Sequence, residues 1–203
     1  MDFDPGRGVI GIPHTGSFSW QAVGSYLTLD VPPSTPWNLL GFALIYDARE
    51  ALAERMLDEG RDWLLMVDHD MVLPPDTLHR LLAHGRPIVG TLAFKRYPPH
   101  QPCVYDRLDL EGDRLDIHYM RDWPQGLIEV AGVGTACILI RREALERIPR
   151  PWFFPAPGIG EDLTFCLRAR KAGVPIHVDT TLNIRHLTTT SVGEGHYRRC
   201  ASS

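Results

Sequence analysis

Residues 62–85 read DWLLMVDHDMVLPPDTLHRLLAHG, and this stretch decides the fold. DWLLMV (62–67) is a near-continuous apolar run of strand length, the pattern of a strand covered on both faces in a parallel sheet. Asp68 and Asp70 follow it at i and i+2. That position is the carboxyl end of a strand, the edge at which open α/β sheets bind ligands. Pro74 and Pro75 then start a helix, DTLHRLLAHG, which Gly85 ends. PIVGTLAF (87–94) reads as the next strand. Strand, helix and strand in this order imply an α/β sheet with right-handed crossovers.

The same alternation extends upstream. GVIGI (8–12) is a short buried strand, stopped by Pro13. FSWQAVGSYLTL (18–29) carries apolar residues at helical intervals, with Ser17 or Thr15 as the expected cap. A proline-rich loop covers 31–38, LLGFALI (39–45) is a second strand, and Asp47 opens a helix that ends at Gly60. Downstream, 95–131 breaks into prolines, charges and short alternating stretches expected to form hairpins and loops. GTACILIRREALERI (134–148) reads as a strand running into a short helix. EDLTFCLRARKAG (161–173) is an amphipathic helix, and PIHVDT (175–180) a last strand. The expected organisation is one domain over 1–187 and a mobile C-terminal tail over 188–203.

Composition excludes several classes. With 44% hydrophobic and 23% charged residues, the 203-residue chain can bury a core and is not disordered. No apolar run approaches the roughly 20 residues of a membrane span, and the N-terminus MDFDPGRG lacks the character of a signal peptide, so a cytoplasmic protein is expected. Cys103, Cys137, Cys166 and Cys200 form no CxxC pair, which points to free thiols rather than zinc or redox chemistry. Residues 1–140 hold 11 Lys and Arg against 19 Asp and Glu, whereas 141–203 hold 10 against 6. The acidic larger part does not suit a generic nucleic-acid binder, though the basic C-terminal third suits an anionic partner.

Three groups carry candidate chemistry. Asp68 and Asp70 are hard oxygen ligands suited to Mg2+ or Mn2+ bridging a diphosphate, set against an ordinary solvated acidic turn. Glu161 and Asp162 follow the turn Pro157-Gly158-Ile159-Gly160 at a helix start. They complement the helix dipole, or supply a general base that takes a proton from an acceptor hydroxyl. His186, in NIRHLTTT, suits a third metal ligand beside the carboxylates.

These pieces together resemble a known family. An apolar strand with its IPHTG loop, an AR-containing helix, WLLMVDHDMVLPPDTLHRLL, GVGTACILIRREAL, GEDLTFCLRARKAG and a late histidine are similar, over about residues 8–187, to the GT-A-fold nucleotide-sugar glycosyltransferases. The likeness is greatest to small family-2-like enzymes of bacteria and phages. It implies an α/β fold with a mostly parallel, Rossmann-like sheet flanked by helices and a small antiparallel addition. It implies a hexosyltransferase-type enzyme with a UDP- or GDP-sugar donor and a Mn2+ or Mg2+ ion held by Asp68, Asp70 and His186. Pro13, His14, Thr15, Arg49 and the Asp68-His69-Asp70 segment would bind the donor. Gly132, Val133 and Gly134 would lie near the acceptor and sugar. Asp162, with Glu161 beside it, would be the catalytic base of an inverting reaction. The chain departs from larger relatives in having no QxxRW motif after the Glu-Asp pair, which argues against a processive synthase.

Other readings fare less well. Gly6-Arg7-Gly8-Val9-Ile10-Gly11 spells GxGxxG, but it precedes the first strand instead of following one, so a dinucleotide site is not expected. A nucleotidyltransferase shares the acidic, metal-bridged logic but needs a basic, glycine-rich loop after the first strand, and IPHTGSFSW has neither Lys nor Arg. A non-catalytic nucleotide-sugar-binding module would not need Asp68, Asp70, Asp162 and His186 together. The acceptor stays open among a glycan, a small molecule and hydroxymethylated phage DNA, the last suggested by Arg141, Arg142, Arg168, Arg170, Lys171, Arg198 and Arg199.

Overall fold

The structure is a computed structural model that describes residues 3–111 and 114–188. The chain runs β1 (Gly8–His14), α1 (Trp20–Leu27), β2 (Trp37–Gly41), α2 (Ile45–Asp58), β3 (Trp63–Val67), β4 (Met71–Val72), α3 (Thr77–Ala83) and β5 (Ile88–Thr91). It continues through β6 (Val104–Glu111), β7 (Arg114–Tyr119), β8 (Leu127–Val130), β9 (Gly132–Val133), β10 (Cys137–Arg141), α4 (Arg142–Arg147), α5 (Glu161–Lys171), β11 (Ile176–Asp179) and β12 (Arg185–His186). The tail expected over 188–203 lies outside the described residues from 189 onward, as do Arg198, Arg199 and Cys200.

Seven strands form the central sheet in the order β2-β1-β3-β10-β5-β11-β8. Five run in one direction, and β10 and β8 oppose them. The sheet is therefore mostly parallel, as expected, but one antiparallel strand lies at its centre. Side-chain alternation divides the core between two faces. Leu64 and Met66 of β3 and Ile138 and Ile140 of β10 pack with Leu52 and Met56 of α2 and with Phe165 of α5. Trp63, Leu65 and Val67 pack with Tyr26 of α1 and with Leu78 and Leu81 of α3. The result is helices on both faces of one sheet. Each such side chain stabilises the fold by about 1.5–3 kcal/mol through burial. Two small antiparallel sheets, β12-β4 and β7-β6-β9, complete the strands of the described residues. Among the described residues no helix is long and apolar enough to cross a membrane.

Element boundaries differ from expectation for identifiable reasons. β1 continues through Pro13 to His14 because β3 pairs with it only over Gly8–Gly11. Beyond Gly11 it pairs on one side alone, with β2, and a proline is tolerated on an unpaired side. The second strand ends at Gly41 rather than at residue 45. Phe42 takes a φ of 60°, and Ile45 already belongs to α2. The apolar residues Phe42, Leu44 and Ile45 are exposed, so they belong to a surface and not to the sheet. Ser19 caps α1, accepting from the Ala22 N–H at 3.2 Å, in place of Ser17 or Thr15. The GxGxxG segment runs into β1 itself, as the sequence argument against a dinucleotide site requires.

Candidate active site

The carboxyl ends of β1 and β3 open on a cleft of about 410 Å³. The size suits a nucleotide-sized ligand. Pro13, His14 and Thr15 form one wall, the Asp68-His69-Asp70 segment the floor, and Ala43, Leu44, Ile45 and Ala48 an apolar flank. Arg49, Arg96, Glu161 and His186 close the remainder. Every residue that the sequence associates with the donor therefore faces one cavity.

Local contacts fix the floor. The Asp68 N–H donates to Ala136 O at 2.9 Å, and the Tyr26 hydroxyl donates to Asp68 O at 2.8 Å. His69 Nε2 lies 3.2 Å from Thr15 Oγ1, tying the floor to the β1 loop. His14 accepts the Gly16 N–H at Nδ1 at 3.0 Å, so its Nε2 carries the proton. Gly41 makes room for this ring, since a Cβ there would lie 2.3 Å from His14 Cε1.

Asp70 and His186 are 116 positions apart, yet His186 Nε2 lies 3.3 Å from Asp70 Oδ2. The device is the small sheet in which His186 pairs with Met71, directly after Asp70. The Leu187 N–H also donates to Asp70 O at 2.9 Å. On the far side of the ring, His186 Nδ1 is 2.9 Å from Phe94 O. A carbonyl only accepts, so Nδ1 holds the proton and Nε2 is left to face the carboxylate. Burial opposes the charge, but the bonds to Asp70 and Phe94 outweigh it and raise the His186 pKa. Burial likewise pushes Asp70 up, and His186 with Arg96 and His69 outweighs that and holds it below the usual carboxylate range. Arg96 Nη1 reaches Asp70 Oδ2 at 2.9 Å.

Asp68 is occupied differently. Arg49, only 3% exposed, donates from Nη2 to Asp68 Oδ1 at 2.7 Å and from Nε to Glu161 Oε1 at 3.3 Å. Burial disfavours this guanidinium, and the two carboxylates more than compensate, raising its pKa. Arg49 is thus a buried bridge between the floor and α5, and little of it is free to meet a nucleotide. Among the described residues no three His, Cys, Asp or Glu side chains stand together as a complete metal site. Asp70 and His186 are the two potential ligands in direct contact. Their chemistry fits a hard divalent ion that takes its remaining ligands from phosphate oxygens and water.

Asp162 sits behind Glu161 in the first turn of α5, which Gly160 begins without a side-chain cap. Its Oδ1 accepts the Leu163 N–H at 2.8 Å. Burial raises its pKa, and the neighbouring Glu161 charge adds to the rise. A side chain at Gly134 would meet Cys103 Cβ at 2.9 Å and lie 3.8 Å from Asp162 Oδ2, so the bare backbone at Gly134 lets Cys103 pack close, with Asp162 at ordinary contact distance. Gly132 and Val133 are buried in β9, and the Val133 side chain is part of the core. Of this trio, Gly134 is the one beside Asp162.

The sequence reading did not single out Arg96, Tyr26 or the apolar flank at 43–48. Arg96 lies just past the end of the strand read at 87–94, a position at the ligand-binding edge that could have flagged it. Tyr26 gave no such signal, because its hydroxyl reaches the floor from the middle of an amphipathic helix.

A family model described as "Glycosyltransferase like family 2" matches residues 38–201. Among solved structures, the crystal structure of A197 from STIV is similar, with a TM-score of 0.65 and 21% identity over 90% of this chain and 86% of that one. At that identity the likeness speaks for the fold. No curated protein matches the chain. With most of its length under the family model, a strand order that puts two acidic residues at the rim of a mostly parallel sheet, and the GT-A architecture, the chain belongs to glycosyltransferase-like family 2.

Proposed function

We propose that the protein is a metal-dependent glycosyltransferase that moves a sugar from a UDP- or GDP-sugar to an acceptor hydroxyl with inversion. The observation that carries this reading is the convergence of Asp70 and His186 on the floor of a cleft walled by Pro13, His14 and Thr15. A divalent ion, Mn2+ or Mg2+, would supply positive charge to the leaving diphosphate. Asp70 and His186 would hold it. Asp68, anchored on Arg49, shapes the floor and adds negative charge. The nucleoside would lie along Ala43, Leu44, Ile45 and Ala48, with the His14 Nε2–H as a donor toward it. Asp162 would take the acceptor's proton, and its raised pKa makes it a stronger base than a solvated aspartate. Gly134 would lie near the acceptor.

The test is donor hydrolysis across a panel of nucleotide sugars with and without Mn2+, which needs no knowledge of the acceptor. Metal-dependent release of the nucleoside diphosphate is expected for one donor class, and its loss is expected in Asp70→Ala. Release of pyrophosphate from a nucleoside triphosphate offered together with a sugar phosphate would instead identify a nucleotidyltransferase. No turnover with any donor would leave a binding module.

A further inference from the structure

Two arginines meet the carboxylates of the floor, and they differ in freedom. Arg49 is 3% exposed and clamped by Asp68 and Glu161. Arg96 is exposed at 44% and, among the described residues, touches Asp70 alone of the acidic groups. Its backbone is nonetheless held. Phe94 bridges Pro102, the Lys95 N–H donates to Gln101 O at 2.9 Å, and the Cys103 N–H donates to Ala93 O at 2.8 Å. The Lys95 ammonium is engaged by the Tyr119 hydroxyl at 2.6 Å. A long side chain on a fixed base, with its head at the rim, can exchange partners without any change in the fold.

The contact it makes is on the atom a cation would need. Arg96 Nη1 and His186 Nε2 both address Asp70 Oδ2, at 2.9 and 3.3 Å. A divalent ion joining Asp70 to His186 would meet the guanidinium as a like charge at close range. The guanidinium also lines the cleft in which a diphosphate would lie, and a guanidinium binds phosphate oxygens as readily as carboxylate oxygens.

We propose that Arg96 is the resident counter-ion of Asp70 in the donor-free protein and passes to the donor's diphosphate when the cation enters. This rests on the reading of the cleft as a nucleotide-sugar site. Arg96 opposes binding of the metal alone and favours binding of metal and nucleotide together. The site is thereby biased toward loading both at once, because the charge displaced by one ligand is the charge that holds the other.

The test uses the full chain as wild type, Arg96→Met and Arg96→Lys, with two binding measurements that need no turnover. Mn2+ alone is titrated by the loss of the free-ion electron paramagnetic resonance signal. UDP and GDP are titrated calorimetrically at saturating Mn2+. Arg96→Met should bind Mn2+ roughly three- to tenfold more tightly than wild type. It should bind the preferred nucleoside diphosphate roughly tenfold more weakly. Arg96→Lys should keep the weak Mn2+ affinity of wild type and recover part of the nucleotide affinity. Mn2+ affinity that is unchanged or lower in Arg96→Met overturns the proposal, as does nucleotide affinity that does not fall. If wild type binds Mn2+ and neither nucleotide, the glycosyltransferase reading fails and the proposal goes with it. Opposite shifts of the two affinities support the exchange. Because Arg96 is exposed, the variants are expected to keep the wild-type unfolding midpoint.

Discussion

Replacing Arg49 by Met removes a buried cation from between two carboxylates and leaves its stem in place. Losing one partner of a buried ion pair costs about 3–5 kcal/mol, because the remaining charge stays buried and unpaired. Here the side chains of Asp68 and Glu161 are 24% and 19% exposed, so water reaches both and relieves part of the loss. A destabilisation of about 2–4 kcal/mol is expected. In a domain of this size each kcal/mol shifts the midpoint by roughly 2–4 °C, so Tm should fall by roughly 4–16 °C. Thermal unfolding followed by circular dichroism at neutral pH measures this. Glu161→Gln and the double variant complete a cycle. Removing the Glu161 charge from the Arg49→Met background should recover part of the loss, giving an interaction energy of about 1 kcal/mol or more between the two sites. If Arg49→Met melts within about 1 °C of wild type, the guanidinium does not balance the charge of the floor, and Asp68 must be read as a solvated group.

Asp162→Asn should lower kcat by roughly a hundred- to ten-thousand-fold while leaving donor affinity near wild type; equal loss of donor affinity would mean that the base is misassigned. In wild type, kcat/KM should fall as pH drops through a pKa above the ordinary aspartate range, since burial and Glu161 raise it, and the Asn variant should lose that limb. The same shift carries a stability sign. A carboxyl that holds its proton more tightly folded than unfolded costs stability as pH rises from its unfolded toward its folded pKa. At neutral pH Asp162→Asn should therefore be at least as stable as wild type, measured by its Tm. Burial pushes the thiols of Cys103 up to about 11 and of Cys137 and Cys166 up to about 12. At neutral pH iodoacetamide should label these three positions slowly in the native protein and quickly in urea, as read by peptide mass spectrometry; rapid native labelling of Cys137 or Cys166 would contradict the packing of the sheet.

The layered α/β class and most helices and core strands were legible because their signals are local. WLLMV is apolar throughout, and Pro74, Pro75 and Gly85 bracket a helix. Strand order was not legible. The segment 134–148 reads correctly as strand then helix, but nothing local states that β10 lies between β3 and β5 and opposes both. Of the site, Asp68, Asp70 and Glu161-Asp162 stood out through position at a strand end or helix start. The meeting of His186 with Asp70 rests on two-residue strands, too short for any periodicity to register. Arg49, expected among the donor-binding residues, lines the cleft while also pairing with Asp68 and Glu161, and its contact with Glu161 spans 112 positions, which no window of sequence contains.

The central position of β10 bears on how the molecule is assembled. Val67 has no neighbour on that side until Cys137 arrives, some seventy residues later in synthesis. Until then β3 presents a bare apolar edge, and β5 lacks the strand that joins it to β3. Contacts of such separation make for slow, concerted closure. Because Ala136 also accepts the Asp68 N–H, the strand that joins β3 to β5 also helps set the floor of the cleft. A chain that stops before this point leaves β3 unpaired on that side.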